Sequence, residues 1–165
     1  MRILIAYYTF TGRTRKAAKE LSDFFKSRGH ETSLEEIVPK GGYSNLTAYL
    51  IGCPQALIGW KVGIKTIESK PQDFEVIVVL TPTWASTSAP PAYSFTRSLP
   101  EARTGQRGLA ISTCQGSPGN SARKLADVLS SKGYDVITSF PIGDLGELKD
   151  VLERRIELAP SKKQP

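Results

Sequence analysis

The sequence predicts an α/β fold in which helices cover a parallel sheet, and three observations support this. Residues 3–8 (ILIAYY), 76–80 (VIVVL) and 108–113 (GLAIST) are short apolar runs of the kind that a parallel sheet buries on both faces. Loops rich in Gly, Pro, Ser or Thr end these runs, and amphipathic helical patterns follow. Such an alternation of strands and helices predicts βαβ units with right-handed crossovers.

The first half of the chain contains a strong strand, a helix and a weaker strand. Residues 3–8 form the first strand, and the following helix ends at Gly29. Residues 32–37 are a weaker second strand. The apolar positions of the helix recur at i, i+3, i+4 and i+7: Ala17, Ala18, Leu21, Phe24 and Phe25.

The second half repeats this arrangement. Residues 76–80 are the third and most strongly predicted strand, and residues 108–113 are the fourth. A helix then runs through Leu125, Val128 and Leu129 to Gly133. Residues 134–138 are expected to form a fifth strand, and residues 145–158 a last helix.

The connection between the second and third strands is the least regular part of the sequence. Five glycines interrupt apolar stretches within residues 39–72, so we expect an irregular crossover that contains helix. Residues 160–165 are polar and interrupted by proline, and we expect a frayed tail. With no internal repeat or boundary in the pattern, residues 1–159 are predicted to form a single domain.

Composition excludes several classes of function. The 165 residues carry a net charge of +6, divided equally between the two halves, which does not resemble a basic arm or tail that binds nucleic acid. A basic patch assembled in three dimensions remains open, and a diffuse surface charge is the preferred interpretation. Two cysteines, Cys53 and Cys114, and the single His30 offer no metal-ligand spacing and no disulfide framework. We expect no signal peptide, because a short apolar, strand-like run follows Met1 and Arg2 directly, and no apolar stretch has membrane-spanning length. We therefore expect a soluble, cytoplasmic protein.

The loop after the first strand has the composition of an anion site. Residues 9–14 (TFTGRT) place three hydroxyls and a glycine directly before a helix, where backbone N–H groups and the helix dipole attract phosphate. Thr11 acting as an ordinary helix N-cap is the alternative, and both interpretations remain open at this point. Neither a Walker motif nor G-x-G-x-x-G is present.

Residues 3–14 (ILIAYYTFTGRT) resemble the phosphate loop of the flavodoxins, in which a T/S-x-T/S-G-x-T turn holds the phosphate of flavin mononucleotide (FMN). Residues 81–91 (TPTWASTSAPP) resemble the T-P-x-W-x-x-x-x-x-P-P loop of bacterial and archaeal flavodoxin-like proteins. The resemblance implies a flavodoxin-like, doubly wound, five-stranded parallel sheet of order 2-1-3-4-5, with helices on both faces and FMN at its carboxyl edge.

The resemblance also implies which residues bind the cofactor. Trp84 is the candidate to stack on the isoalloxazine, where an aromatic face disfavours the electron-rich reduced flavin; a core aromatic is the alternative. The third loop supplies the other wall of the flavin pocket. The implied phosphate contacts are Thr9, Phe10, Thr11, Gly12, Arg13 and Thr14; the ring contacts are Pro82, Thr83, Trp84, Ala85, Ser86 and Thr87; the third-loop contacts are Cys114, Gln115, Gly116 and Gly119.

Three features depart from the flavodoxin pattern. Residues 114–120 (CQGSPGN) lack the tyrosine that many flavodoxins carry there, which suits hydride or quinone access unless Trp60 or Tyr43 covers the ring. Arg13, with Arg15 beside it, makes the first loop more basic than one phosphate needs; a solvated first-turn arginine is the alternative. The sequence pI is about 9.4, whereas flavodoxin electron carriers are acidic. The redox partner is therefore expected to be acidic, or the protein is not a conventional shuttle.

The sequence also argues against two further classes of protein, and three hypotheses about function remain. A low-molecular-weight phosphatase needs Cys-x5-Arg, but residue 120 is Asn, so Cys114 is expected to be a structural thiol. A receiver domain needs carboxylates after the first strand, where residues 7–11 have none. The hypotheses are an FMN-binding electron-transfer protein, an NAD(P)H-dependent FMN or quinone reductase, and a flavodoxin-fold binding or regulatory module without flavin. We expect a monomer or homodimer.

Overall fold

The structure, a computed structural model, describes residues 1–41, 47 and 51–142. Five parallel strands form its main sheet, and a sixth, short strand pairs antiparallel with the carboxyl end of the central strand. In chain order the elements are β1 (Arg2–Tyr7), α1 (Arg13–Ser27), β2 (Glu31–Glu36), α2 (Cys53–Ile58), a 3-10 turn (Pro71–Asp73), β3 (Val76–Trp84), β4 (Thr87–Ser88), α3 (Pro90–Ser98), β5 (Arg107–Thr113), α4 (Ser121–Ser131) and β6 (Asp135–Ile142).

The strand order confirms the predicted topology. The sheet runs β2-β1-β3-β5-β6, and because β4 is only a short addition, this is the predicted order 2-1-3-4-5. Strand β1 lies between β2 and β3, with Tyr7 opposite Glu36 on one side and Leu80 on the other. Chain order reverses between β1 and β3, which places a cleft at the carboxyl ends of these two strands.

Helices cover both faces of the sheet, as predicted. On one face, α1 packs Leu21 and Phe25 against Ile3, Ile5 and the alternate residues of β3. On the other face, α3 and α4 bury Phe95, Leu125 and Leu129 against the intervening strand positions. Strands β1, β3 and β5 are therefore buried on both sides, which explains why their sequences are continuous apolar runs rather than alternating patterns.

The segment after the predicted end of the third strand is more ordered than a loop. Strand β3 continues to Trp84, because Thr81 and Pro82 still pair with β5, and residues 83–84 pair with β4 in a tight hairpin. Pro90 and Pro91 then begin α3, a helix that is not among the predicted elements. Proline suits the first turn of a helix, where its missing N–H has no partner to lose.

Other boundaries also differ from the prediction. The described part of the 39–72 crossover contains α2 and an isolated bridge between Pro39 and Ile64, which agrees with an irregular, helix-containing connection. The fifth strand of the prediction is longer than expected and runs to Ile142. The predicted last helix (145–158) and tail (160–165) lie outside the described residues. No described helix has the length and apolarity needed to span a membrane.

Candidate functional site

A cavity of about 230 Å³ lies at the carboxyl ends of β1, β3 and β5. Three loops that are far apart in the sequence form its walls, together with the start of α2. Its lining residues are Phe10, Thr11, Arg13, Thr14, Cys53, Pro82, Thr83, Trp84, Ala85, Thr113, Cys114 and Gln115.

The first loop presents an uncapped helix terminus to this cavity. Gly12 is the N-cap residue of α1, with φ of +88° and no side-chain capping bond. The Thr9 hydroxyl instead accepts a bond from the Gly12 N–H at 3.0 Å. Thr11 is exposed on the cavity wall and does not cap the helix, so the N-cap alternative for Thr11 is wrong. The first-turn N–H groups, including those of Thr14 and Arg15, therefore have no capping side chain and form the positive end of the helix.

Thr14 is anchored to the sheet as well as facing the cavity. Its hydroxyl lies 2.8 Å from the Thr113 hydroxyl, and both residues are buried. A hydroxyl that accepts one such bond still has a proton to donate. The pair therefore joins the start of α1 to the end of β5 and fixes the distance between the first and third loops.

We expect Thr14→Val to destabilise the free protein by about 1–3 kcal/mol, because it leaves the Thr113 hydroxyl buried without its partner. Replacing both residues by valine is expected to cost less than the sum of the two single changes, since no orphaned hydroxyl remains. Urea unfolding of the four proteins measures this coupling. Strictly additive losses would show that the two hydroxyls do not interact.

Arg15 does not add its charge to the first loop. One nitrogen of its guanidinium lies 2.9 Å from each carboxylate oxygen of Glu36, and the Tyr7 hydroxyl donates to the same carboxylate at 3.2 Å. Burial raises the pKa of Tyr7, so its proton stays in place at neutral pH. Arg15 is therefore an ion-pair partner of β2, and Arg13 is the cation on the cavity wall.

Trp84 belongs to an aromatic cluster at the cavity wall. Its ring lies edge-to-face with Tyr8 at 5.7 Å and with Phe10 at 5.6 Å between centroids. The indole is half-buried and packs against the core behind it while also lining the cavity. One part of the indole therefore supports the core and another lines the cavity, and stacking of Trp84 on a ligand stays a prediction.

The hairpin turn beside Trp84 has an unusual backbone. Ala85 and Ser86 have φ of +48° and +62°, in the left-handed region that non-glycine residues rarely occupy. A two-residue hairpin with both central residues there is a type I′ turn, which normally contains Asn-Gly. Each such residue costs on the order of 1–3 kcal/mol, so surrounding contacts must hold the turn in place.

The structure brings ten of the sixteen predicted site residues to the cavity. The other six lie outside its lining: Thr9, Gly12, Ser86, Thr87, Gly116 and Gly119. Of these, Thr9 and Gly12 shape the first loop, whereas Ser86 and Thr87 border a second cavity on the far side of the hairpin. Neither Trp60 nor any other described aromatic of the crossover lines the first cavity, and Tyr43 lies outside the described residues.

Cys53 and Thr113 line the cavity and were not predicted to do so. Thr113 ends the fourth predicted strand directly before Cys114, so its position next to a predicted site residue was the available signal. Cys53 belongs to the crossover, and no motif marks it. Both cysteines are free thiols, and the Cys114 sulfur lies 3.8 Å from the Ile142 carbonyl oxygen. Cys114 is buried, as expected for a structural thiol, but it also forms part of the wall.

No metal centre accompanies the cavity in the described part of the chain, where no group of three or more His, Cys, Asp or Glu is placed to hold an ion. The polar groups of the site are hydroxyls, backbone amides, two thiols, the Gln115 carboxamide and one arginine. These groups suit a phosphorylated organic ligand better than a metal ion.

Comparison with known proteins identifies the fold. No family model matches the sequence, and no protein with a curated function matches it. Among solved structures, a candidate flavoprotein from Bacteroides eggerthii is 20% identical, with a TM-score of 0.68 over 94% of this chain and 98% of that one. The chain has the flavodoxin-like fold.

Two further structures show the same likeness. A flavoprotein from Lactobacillus acidophilus, solved in complex with FMN, is 19% identical, with a TM-score of 0.62 over 82% of this chain and 89% of that one. An oxidised flavodoxin from Bacillus cereus is 10% identical, with a TM-score of 0.63 over 96% of this chain and 99% of that one. The flavodoxin-like fold therefore persists here at very low sequence identity.

Proposed function

We propose that this chain binds FMN at the carboxyl edge of the sheet and transfers electrons between partners. One observation carries the proposal: the two loops that resemble flavodoxin loops, residues 9–14 and 81–91, line the same cavity, and one of them ends in an uncapped helix N-terminus. The neighbour from Lactobacillus acidophilus was solved with FMN, which supports the choice of ligand.

The phosphate would lie at the start of α1. The N–H groups of the first helical turn and the exposed Thr11 hydroxyl are hydrogen-bond donors, and Arg13 adds a positive charge on the same wall. Gly12 takes the left-handed conformation that turns the chain into the helix at this point. The Arg15 guanidinium is held by Glu36, so the side chain of Arg15 takes no part in this site.

The flavin ring would lie between Trp84 and the third loop. FMN supplies the redox chemistry, while the protein residues bind it, orient it and limit its contact with water. Trp84 and Ala85 form one wall, and Cys114 and Gln115 form the other. The described residues enclose about 230 Å³, below the roughly 300–1,000 Å³ typical of ligand pockets, so part of the flavin is expected to remain accessible to a partner.

An apolar patch beside the cavity suits partner docking. We define it as Leu57, Ile58 and Trp60, which leave 64%, 71% and 57% of their surfaces exposed. Adjacent large apolar side chains at this exposure are typical of a protein-binding surface. Helix α2 links the patch to the cavity, because Cys53 lines the first cavity and Leu57, one turn later, lines the second.

Basic side chains lie beside the apolar patch: the Lys124 ammonium donates to the Ala56 carbonyl oxygen at 3.1 Å, in the helix that carries Leu57 and Ile58. The Lys124 ammonium lies 4.5 Å from the centre of the Tyr93 ring, and the Arg97 guanidinium lies 5.8 Å from it. Arg123 and Lys124 line the second cavity, where Asp127 is the acidic lining residue. We therefore propose that an acidic electron-transfer protein docks here, in the reducing cytoplasm that fits two free thiols. The basic residues around the patch are Lys61, Arg97, Arg123 and Lys124.

Small charged oxidants test this surface charge directly. The reduced, FMN-loaded protein is expected to react faster with anionic ferricyanide at low salt than at high salt, since the basic side chains attract the anion and salt screens them. Replacing both Lys61 and Arg123 by Glu is expected to lower the low-salt rate about tenfold. A cationic cobalt complex serves as the control and should show the opposite salt dependence. Identical salt dependence for both oxidants would contradict a basic docking surface.

The third loop favours a second candidate function, an NAD(P)H-dependent FMN or quinone reductase. Its wall of the cavity consists of Thr113, Cys114 and Gln115, which provide no aromatic cover for the ring. Stopped-flow mixing of the loaded protein with NADH or NADPH separates the two functions. If NAD(P)H bleaches the bound flavin faster than it bleaches free FMN, the protein is a reductase. If both are bleached at the same rate, the protein is an electron carrier that a partner protein reduces.

A further inference from the structure

The hairpin turn at Ala85 and Ser86 is not stabilised by its own sequence. It connects Trp84 to Thr87, which face each other across the β3–β4 pair. Both turn residues are in the left-handed region, where asparagine and glycine are favoured and alanine and serine are not. Since the turn carries Trp84 and Ala85 to the cavity wall, whatever holds it also shapes the site.

The third loop holds this turn from behind. The Asn120 N–H donates to the Ser86 carbonyl oxygen at 2.9 Å. Gly119 lies so close that a Cβ atom on it would be 1.9 Å from that oxygen and 2.5 Å from the carbonyl carbon. No other residue type fits at Gly119 without moving the backbone of the turn, and its φ of +53° also favours glycine.

A second bond joins the same two segments. The Ser121 hydroxyl donates to the Thr83 hydroxyl at 3.0 Å, one strand position before Trp84. The start of α4 therefore contacts the hairpin at two points, in the turn at Ser86 and in β3 at Thr83. In this arrangement the contact at Gly119 is made by backbone atoms and needs no ligand.

We propose that Gly119 is a positioning residue: its close contact with Ser86, with the Asn120 N–H bond, locks the Ala85–Ser86 turn so that the cavity wall is preformed. Gly119 was predicted to contact the ligand, whereas the structure places it behind the turn, outside the cavity lining. We call the contacts of Gly119 and Asn120 with Ser86 the clamp. The clamp is a property of the free chain, and its effect on FMN binding rests on the proposed function. Preforming a wall raises affinity because less ordering is needed on binding.

Gly119→Ala tests the proposal, with Gly29→Ala as the matched control. Gly29 also has a positive φ, +76°, but a Cβ there would meet nothing within 4 Å, and it follows the C-terminus of α1, the end of the helix opposite the cavity. Gly119→Ala is expected to speed amide hydrogen exchange at Asn120 at least about tenfold and to weaken FMN binding about tenfold or more. Gly29→Ala is expected to change neither, although it shares the conformational penalty.

Exchange and FMN affinity separate the clamp from the proposed function. In the unaltered protein without FMN, the Asn120 amide is expected to be protected already, and FMN is expected to slow its exchange less than about threefold. An unprotected Asn120 amide would overturn the clamp even if no Gly119 variant folds. Faster exchange in Gly119→Ala with unchanged FMN affinity would overturn the positioning role. If the unaltered protein ignores FMN but protects Asn120, the proposed function fails while the clamp stands.

Discussion

Riboflavin is expected to bind this chain at least about 100-fold more weakly than FMN. The two ligands differ only in the phosphate, which we place against the uncapped start of α1. Hydrogen bonds to a charged group contribute about 1.5–3 kcal/mol each, and two of them account for a difference of this size at about 1.4 kcal/mol per tenfold. Titrating each ligand and following the quenching of flavin fluorescence gives both dissociation constants.

Inorganic phosphate provides the control for this comparison. It should compete with FMN, because both occupy the N-terminus of α1, and it should not weaken riboflavin binding. Dissociation constants for FMN and riboflavin within about threefold of each other would show that the first loop makes no use of the phosphate. The loop would then be only a helix start, despite its resemblance to a phosphate loop.

Trp84→Ala is expected to weaken FMN binding by about 10- to 100-fold and to destabilise the free protein by about 1–3 kcal/mol. Stacking of a planar ring on an aromatic side chain contributes about 1–3 kcal/mol, as measured for nucleic-acid bases. The stability loss is smaller than the roughly 3–5 kcal/mol of a core tryptophan, because the indole is only half-buried and shares its contacts with Tyr8 and Phe10.

Trp84→Phe separates these two effects. It keeps an aromatic ring at the wall and should retain FMN affinity within about fivefold, while still losing part of the packing against Tyr8. Fluorescence titration gives the affinities, and urea unfolding gives the stabilities. Unchanged FMN affinity in Trp84→Ala, beside a clear loss of stability, would assign Trp84 to the core and favour a module that does not use flavin.

The fold could be predicted because its signals are local and strong. Residues 3–8, 76–80 and 108–113 are continuous apolar runs, and burial on both sheet faces explains them. Helix α3 escaped prediction because its sequence, PPAYSFTRS, is short and begins with two prolines. The hairpin escaped because Ala-Ser is not a recognised type I′ turn, and contacts from the third loop hold it instead.

The site could be predicted only where a loop follows a strand. Residues 9–14 and 82–85 have recognisable sequences at such positions, whereas Cys53 reaches the cavity from a crossover that no local pattern locates. The partner of Arg15 was likewise hidden, because the β1–β2 register, not the sequence spacing, places Glu36 beside Tyr7. These features depend on tertiary contacts, which a single sequence does not reveal.

Spectral titration of the purified chain with FMN tests the central claim most directly. Saturable binding of one FMN per chain with a dissociation constant below about 1 μM, accompanied by fluorescence quenching and a shifted flavin absorption band, is the predicted result. Such an affinity is what an uncapped helix start and an aromatic wall in one cavity are expected to provide. A spectrum that remains that of free FMN at tens of micromolar ligand would contradict the account.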